Sequence, residues 1–267
     1  KDHIHYNYLL TSLFKAVQDI RYTFSDTNLN IRPIVFLRDD IYSLIKDADK
    51  NKWRDFKIEI EWSEKEIKDL LAYRISKDAN LEEPLSFNQA WNFYFESSSV
   101  RAGSGKMTNS FDFITRSTHL RPRDYIRYIQ VCAEETASFE RSQIESETIR
   151  FVDRAFSNYL RDEIVDEVYP LVTEIEEVLQ IISNIRKWNF SISEFRKQWN
   201  NYYANSSEAI HNFDKVLEVL FRFSVLGNQH PRKKEILYFK YMHTNMNLNK
   251  NERLVLHRGL FKALQIV

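Results

Sequence analysis

Residues that interrupt secondary structure are rare in this chain. Its 267 residues include only four glycines and five prolines. Glycine and proline are the strongest local breakers of helices and strands, so a chain with few of them can form long uninterrupted elements. The composition therefore favours long helices and argues against a loop-rich β protein.

The first 61 residues alternate helical and strand-like patterns. Residues 6–24 place apolar side chains on one side of a helix. Residues 31–37 form an almost continuous apolar run, which is typical of a buried parallel strand. Residues 56–61 alternate apolar and polar side chains as a second strand does. We expect residues 1–61 to form part of an α/β core.

The periodicity is helical from Trp62 onward. Ser63 and Glu66 have the spacing of a capping box and predict the start of a helix. We expect a helical region over residues 62–140, which the family resemblance described below assigns as a lid. Within it, Arg121-Pro122-Arg123-Asp124 predicts the start of a helix that runs to about Phe139. A helical connector is expected over residues 141–188, where many acidic residues form a solvated face.

The last segment, residues 189–267, has a different outline. Helical patterns near 191–199 and 212–225 precede a strand-like run at 236–241 and a closing segment at 254–266. Two or three helices followed by a short hairpin predict a winged-helix-like domain. The predicted fold class is therefore mostly α with a small α/β portion.

Three stretches of the chain carry a family resemblance through their order. The first combines residues 34–41 with residues 58–63, the second covers residues 118–126, and the third combines residues 238–241 with residues 256–260. In this order they resemble the distal half of bacterial P-loop ATPases of the AAA+/STAND kind, including families found in phage-defence loci. The resemblance implies the end of a P-loop α/β sheet, a helical lid and a C-terminal winged helix.

The resemblance also implies roles for particular residues. Arg38 would occupy the sensor-1 position at a strand tip, and Arg123 would be a sensor-2-like arginine on the lid; both are the implied catalytic residues. Arg38, Asp39, Arg121 and Arg123 are the implied nucleotide-binding set, with helix capping as the alternative role of Asp39. Phosphoryl transfer is catalysed largely by cations positioned at the phosphoryl oxygens, so arginines suit such a site.

The chain departs from the P-loop pattern. A P-loop needs Gly-x-x-x-x-Gly-Lys-Ser/Thr, whereas Val100 stands at the first glycine position before Gly105-Lys106, and Met107 replaces the hydroxyl that binds magnesium. This stretch is predicted to be a surface loop. We therefore expect ATP and Mg to bind only with an upstream region, and we expect this chain alone to be inactive as an ATPase.

The remaining reactive residues give little sign of a site. The seven histidines lack the spacing of a zinc site, so no metal is predicted. Cys132 is the single cysteine, which excludes an internal disulfide and indicates a reducing, cytoplasmic location. No apolar run reaches the roughly 20 residues needed to cross a bilayer, so no membrane contact is predicted.

Charge is distributed unevenly although the net charge is zero. Residues 211–267 contain ten Lys and Arg against four Asp and Glu, whereas residues 1–210 contain 28 against 34. Arg232, Lys233 and Lys234 form the densest basic cluster of the C-terminal segment and are candidate nucleic-acid contacts. Winged helices in such ATPases also mediate protein contacts, so both interpretations stay open.

The leading functional hypothesis is the C-terminal portion of a nucleotide-dependent ATPase switch, in a setting of anti-phage defence. It requires a protein partner or self-association to receive the signal. The alternatives are a non-enzymatic helical interaction module and a DNA-binding winged-helix regulator that acts through residues 211–267.

Overall fold

The computed structural model describes residues 2–29, 31–38, 41–42, 45, 47, 50–102, 105–204, 212–242 and 245–266. The chain divides into an N-terminal unit, Lys1–Glu61, and a C-terminal unit, Trp62–Val267. The fold is mostly helical with small antiparallel sheets. This confirms the predicted class, mostly α with a small α/β portion.

The elements are numbered in chain order. The helices are α1 (Asp2–Phe24), α2 (Lys50–Trp53), α3 (Glu64–Asp78), α4 (Phe87–Tyr94), α5 (Ser110–Thr115), α6 (Pro122–Ser138), α7 (Ser146–Val168), α8 (Ile175–Ile185), α9 (Ile192–Tyr203) and α10 (Phe213–Arg222). The strands are β1 (Ser99–Arg101), β2 (Met107–Asn109), β3 (Asn189–Phe190), β4 (Leu226–Gln229), β5 (Leu237–Tyr238) and β6 (Arg253–Leu256).

The N-terminal unit has a small core. Leu10 of α1 is buried together with Ile45 and Trp53. The ring of Phe14 stacks on that of Trp53 with 4.8 Å between the centroids. The Lys50 ammonium group donates hydrogen bonds to the Ile45 carbonyl and to another nearby carbonyl, which ties α2 to the preceding segment.

The two strands predicted in this unit are absent from its described residues. Residues 31–38 have no regular secondary structure, and residues 54–56 form a 3-10 turn that leads into irregular chain up to Glu61. Several of their apolar side chains face solvent, with Phe36 86% exposed and Ile58 88% exposed, whereas Leu37 packs against the small core. An apolar pattern leads to a strand only where a neighbouring strand pairs with its backbone N–H and C=O groups. The described residues of this unit supply no such neighbour.

The C-terminal unit begins with the predicted capping box. The backbone N–H of Ser63 donates to the Glu66 carboxylate at 2.7 Å, and the backbone N–H of Glu66 donates to the Ser63 hydroxyl at 3.3 Å. Helices α6 and α7 then pack against each other, and the Tyr128 hydroxyl donates to the Ile149 carbonyl at 2.9 Å. One face of α7 is buried along its whole length because apolar residues recur at helical spacing. This helix forms the centre of the unit's core.

The end of the chain adds helices and a four-stranded antiparallel sheet. The order along the chain is α8, β3, α9, α10, β4, β5 and β6, and the order across the sheet is β3-β6-β4-β5. Asn228 of β4 pairs with Leu254 of β6, and Phe190 of β3 pairs with Leu254 from the other side. One hydrophobic core continues from Ile67 to Ile266, so this segment packs with the helices before it.

Candidate functional site

The Arg-Pro-Arg-Asp stretch starts helix α6, as predicted. Arg121 is the N-cap residue and has extended backbone angles, and Pro122 occupies the first helical turn, where its missing N–H costs nothing. The Asp124 carboxylate accepts the backbone N–H of His119 at 2.9 Å. This hydrogen bond closes the preceding loop onto the first turn of the helix.

Both arginines of this stretch bind carboxylates of α7. Arg121 lies 2.9 Å from the Glu167 carboxylate, and Arg123 lies 2.6 Å from that of Glu163 and 3.4 Å from that of Glu167. We call these four residues the arginine–carboxylate corner. The Glu167 and Glu163 side chains are only 14% and 29% exposed, so these ion pairs are partly buried, and a phosphate that took over the arginines would leave both carboxylates in need of other partners.

The loop that carries this corner is under backbone strain. Leu120 has φ of +54°, in the left-handed region that is unfavourable for a bulky side chain. The other non-glycine residues with positive φ are Asn80, Glu140, Arg186, Ser224 and Gln265, which follow helices or turns. Beside it, Asp124 is buried, and this burial raises the pKa of its carboxyl group, while Arg121 and Arg123 oppose that shift.

Two buried histidines lie next to this loop. His119 is 3% exposed and His257 is 1% exposed, and their ring centroids are 4.3 Å apart. Burial lowers the pKa of His119 well below its usual range and lowers the pKa of His257 to about 3. The Nε2 atom of each ring is buried without a hydrogen-bond partner among the described residues. The histidine pair is therefore neutral at physiological pH.

The histidine pair marks a tight junction between distant parts of the sequence. Gly259 lies so close to Ser117 that a Cβ atom added to it would be 2.2 Å from the Ser117 carbonyl oxygen. The Nδ1 atom of His257 accepts the backbone N–H of Gly259 at 3.2 Å. Residues 116–119 and 257–259 thus form one contact, which we call the junction. It joins the second and third stretches of the family resemblance.

Residues 65–165 match the family model FunZ_C, described as a FunZ-associated C-terminal helical domain. Neither curated proteins nor solved structures gave a match to the chain. The FunZ_C region runs from α3 into α7. It contains Arg121, Arg123 and His119, whereas His257 and Gly259 lie beyond it.

Arg38 and Asp39 are the other two predicted nucleotide-binding residues. Arg38 belongs to the N-terminal unit, where its carbonyl accepts the backbone N–H of Tyr42 at 2.9 Å. Asp39 lies outside the described residues. Arg121 and Arg123 lie in the FunZ_C region of the C-terminal unit, and both meet Glu167, which lies two residues beyond the end of that region. Their convergence with Arg38 stays a prediction.

The predicted basic cluster lies in the turn between β4 and β5, which we call the wing turn (residues 230–236). Arg232, Lys233 and Lys234 are all exposed. The Nδ1 atom of His230 accepts the backbone N–H groups of Arg232 and Lys233 at 3.1 and 2.9 Å and fixes the shape of the turn. The wing turn therefore presents three adjacent cations to solvent.

Helix α10, which comes directly before β4, is poorly suited to reading a nucleic-acid groove. Most of its length is buried, including Val216, Leu217 and Leu220. Its exposed residues alternate in charge: Lys215, Glu218 and Arg222. A helix that enters the major groove must present polar side chains to base edges, and little of α10 is free to do so.

Two further predictions concern the Gly105-Lys106 stretch, which is expected to be a surface loop, and metal binding, which is not expected. Gly105 and Lys106 lie in the turn of the β1–β2 hairpin, and Gly105 adopts φ of +80° there. No group of three or more metal-binding side chains occurs within the described ranges. In the same part of the chain, no helix is long and apolar enough to cross a membrane.

Sequence reasoning missed several residues of this site. Glu163 and Glu167 were interpreted as part of a solvated acidic face, yet each precedes a buried apolar residue of α7 and lies at the flank of the buried face. His119 and His257 lie within the stretches that carry the family resemblance. This position is the signal in the sequence that could have identified them. Only the folded chain brings them together.

Proposed function

We propose that this chain is the C-terminal regulatory portion of a nucleotide-dependent P-loop ATPase switch. The observation that carries the proposal is the junction, where the arginine-bearing loop of the lid contacts the end of the chain. A movement of the first turn of α6 would be transmitted there to the β4–β6 sheet. The description of FunZ_C as a FunZ-associated C-terminal helical domain supports the C-terminal part of this proposal.

Under this proposal the arginine–carboxylate corner changes partners. In the structure Glu163 and Glu167 hold Arg121 and Arg123. A terminal phosphate bound by the upstream core would compete for these arginines, because guanidinium groups bind phosphate with two parallel hydrogen bonds. ATP and Mg would come with the upstream P-loop, and Arg38 and Asp39 keep the sensor-1 and nucleotide-binding roles that the family resemblance implies.

The exposed apolar segments of the N-terminal unit support the same proposal. Phe36 and Ile58 lie in runs with the pattern of sheet strands, yet they face solvent. Such surfaces mark places where another element packs. We propose that strands of the upstream core cover them, in a cytoplasmic protein of an anti-phage system, a setting for which the family resemblance is the support.

The test uses the protein that includes the upstream P-loop. Nucleotide binding and turnover are measured for the parent and for Arg38→Ala and Arg123→Ala, with Arg154→Ala, an exposed arginine of α7, as the matched control. We expect turnover to fall by at least about 10²-fold in each sensor variant, as for a lost charge-stabilising donor, and to stay unchanged in the control. Normal turnover in both sensor variants would reject the assignments.

The wing turn supports a second candidate function, non-specific binding to nucleic-acid phosphates. Arg232, Lys233 and Lys234 have no ion pair with another described residue. A gel shift at 50 and 200 mM salt tests it, since phosphate contacts weaken as salt rises. Arg232→Gln, Lys233→Gln and Lys234→Gln combined should abolish the shift, whereas Lys215→Gln on α10 should preserve it. Absence of any shift at low salt would leave the wing turn as a protein-contact surface.

A further inference from the structure

Two arginines of the junction differ from those of the arginine–carboxylate corner. Arg116 is the C-cap residue of α5, and Arg258 directly follows His257. The residues after them, Ser117 and Gly259, are in direct backbone contact. The chain therefore brings Arg116 and Arg258, which we call the arginine pair, to the same place from 142 positions apart in the sequence.

Aromatic rings hold both guanidinium groups. The Cζ atom of Arg116 lies 3.6 Å from the centroid of the Phe113 ring, and that of Arg258 lies 4.8 Å from the centroid of the Phe261 ring. Stacking on a ring restricts a long flexible side chain without using its hydrogen-bond donors. Both guanidinium groups are thus oriented without using their N–H groups as donors, although the Nε atom of Arg116 is itself buried.

The arginine pair lacks the carboxylate partners that the corner arginines have. Neither Arg116 nor Arg258 forms an ion pair within the part of the chain that the structure describes, and the buried Nε atom of Arg116 has no hydrogen-bond partner there. Burial, together with the charge of Arg258, lowers the pKa of Arg116. A half-buried guanidinium beside a like charge is unfavourable unless something neutralises it.

The nearest acid is already engaged by other donors. The Asp153 carboxylate accepts a hydrogen bond from the Ser117 hydroxyl at 3.3 Å and lies 3.4 Å from the Tyr128 hydroxyl, which donates to the Ile149 carbonyl. Its charge opposes the lowering of the Arg116 pKa, but it forms no ion pair with that side chain. Arg116 therefore keeps its charge without a directly bound counter-ion among the described residues.

We propose that Arg116 and Arg258 form a binding site for a phosphate group of a small ligand. A phosphate has enough oxygens to accept hydrogen bonds from two guanidinium forks at once, whereas a single carboxylate is matched by one fork. Both arginines are partly exposed, so a ligand can reach them from solvent. This phosphate site does not depend on the proposed ATPase function. It lies at the junction, which under that proposal would transmit a movement of the first turn of α6.

The experiment titrates the purified chain with inorganic phosphate at constant ionic strength, by calorimetry and by thermal denaturation. The variants are Arg116→Gln and Arg258→Gln, with Arg154→Gln on α7 as the control. We expect phosphate to bind the parent and the control, and each variant to bind at least about tenfold more weakly, as for a lost charge-assisted hydrogen bond. Without phosphate, both variants should melt at or above the parent temperature because the repulsion between the arginines is removed.

Parallel titrations with ATP and ADP separate the sources of the phosphate. Nucleotide binding that the two substitutions abolish identifies a nucleotide phosphate, and binding of inorganic phosphate alone identifies the free anion. The proposal is overturned if neither phosphate nor nucleotide binds the parent, or if both variants bind as the control does. Arg116→Lys, which keeps the charge and loses the fork, replaces Arg116→Gln if that variant does not fold, and it too should bind more weakly.

Discussion

The N-terminal and C-terminal units use apolar residues in opposite ways. In the C-terminal unit, Phe156 of α7 is fully buried within a core that runs from Ile67 to Ile266. In the N-terminal unit, Phe36 is 86% exposed, although it lies in the most apolar run of that unit. Both units contain apolar runs, and they differ in whether the described chain supplies a surface that covers these side chains.

This difference suggests how the two units depend on their surroundings. The C-terminal unit buries a large apolar surface by itself, and we expect it to be stable alone. The N-terminal unit has Leu10, Ile45 and Trp53 as its buried apolar residues within the described ranges, which is little for 61 residues. Its stability should therefore depend on what packs against its exposed residues.

Truncating a core aromatic residue of the C-terminal unit should have the largest effect. Phe156→Ala removes a ring that contacts Tyr128 with 4.8 Å between the centroids. We expect the free energy of unfolding to fall by about 3–5 kcal/mol, from lost burial and the cavity left behind. Urea denaturation measures it, and Phe151→Ala on the same helix, 69% exposed, is the control that should change little. Equal effects of the two substitutions would contradict the assigned face of α7.

A smaller effect is expected at the tightest contact of the junction. Gly259→Ala would place a Cβ atom 2.2 Å from the Ser117 carbonyl oxygen, so the backbone must move. Overpacking of this kind costs about 1–3 kcal/mol. Gly105→Ala is the comparison: its Cβ meets nothing within 4 Å, but its φ of +80° costs about 1 kcal/mol for a non-glycine residue. If Gly259→Ala proved the milder of the two, the junction would not be tightly packed.

Acid should weaken the junction through the histidine pair. Both histidines have a folded-state pKa below the unfolded value of about 6.5, so the unfolded chain binds more protons and stability falls as the pH drops below that value. Between pH 7 and pH 5.5, each histidine should reduce the free energy of unfolding by about 1 kcal/mol. For His257 the loss should continue until the pH approaches its folded pKa of about 3.

Substitution of one histidine tests this dependence on pH. His257→Asn keeps an acceptor for the Gly259 N–H and removes the titrating ring. Its free energy of unfolding should vary less steeply between pH 7 and pH 5.5 than that of the parent. If the free energy of unfolding varied equally with pH in the parent and in His257→Asn, the His257 ring would be protonated in the folded chain without opening the junction.

Local signals in the sequence predicted local structure well. The capping box of Ser63 and Glu66 and the proline start of α6 depend on residues close in sequence, and both are as predicted. The strand at 31–37 was predicted wrongly for the described residues because a strand needs a distant partner that periodicity does not reveal. The junction was beyond prediction for the same reason: Ser117 and Gly259 meet only after the core between them has folded.

The smallest effect is expected in the exposed segments of the N-terminal unit. Ile58→Ser replaces a side chain that is 88% exposed, so the free energy of unfolding of this chain should change by no more than about 0.5 kcal/mol. In the protein that includes the upstream core, the same substitution should cost about 1–3 kcal/mol, because the proposed sheet would bury the side chain. Urea denaturation of both forms measures the difference, with Glu59→Ser, the neighbouring exposed residue, as the matched control. An effect confined to the longer protein would show that the N-terminal unit is completed by an upstream partner, whereas equally small effects in both would mean that Ile58 stays in solvent and that the upstream core packs elsewhere.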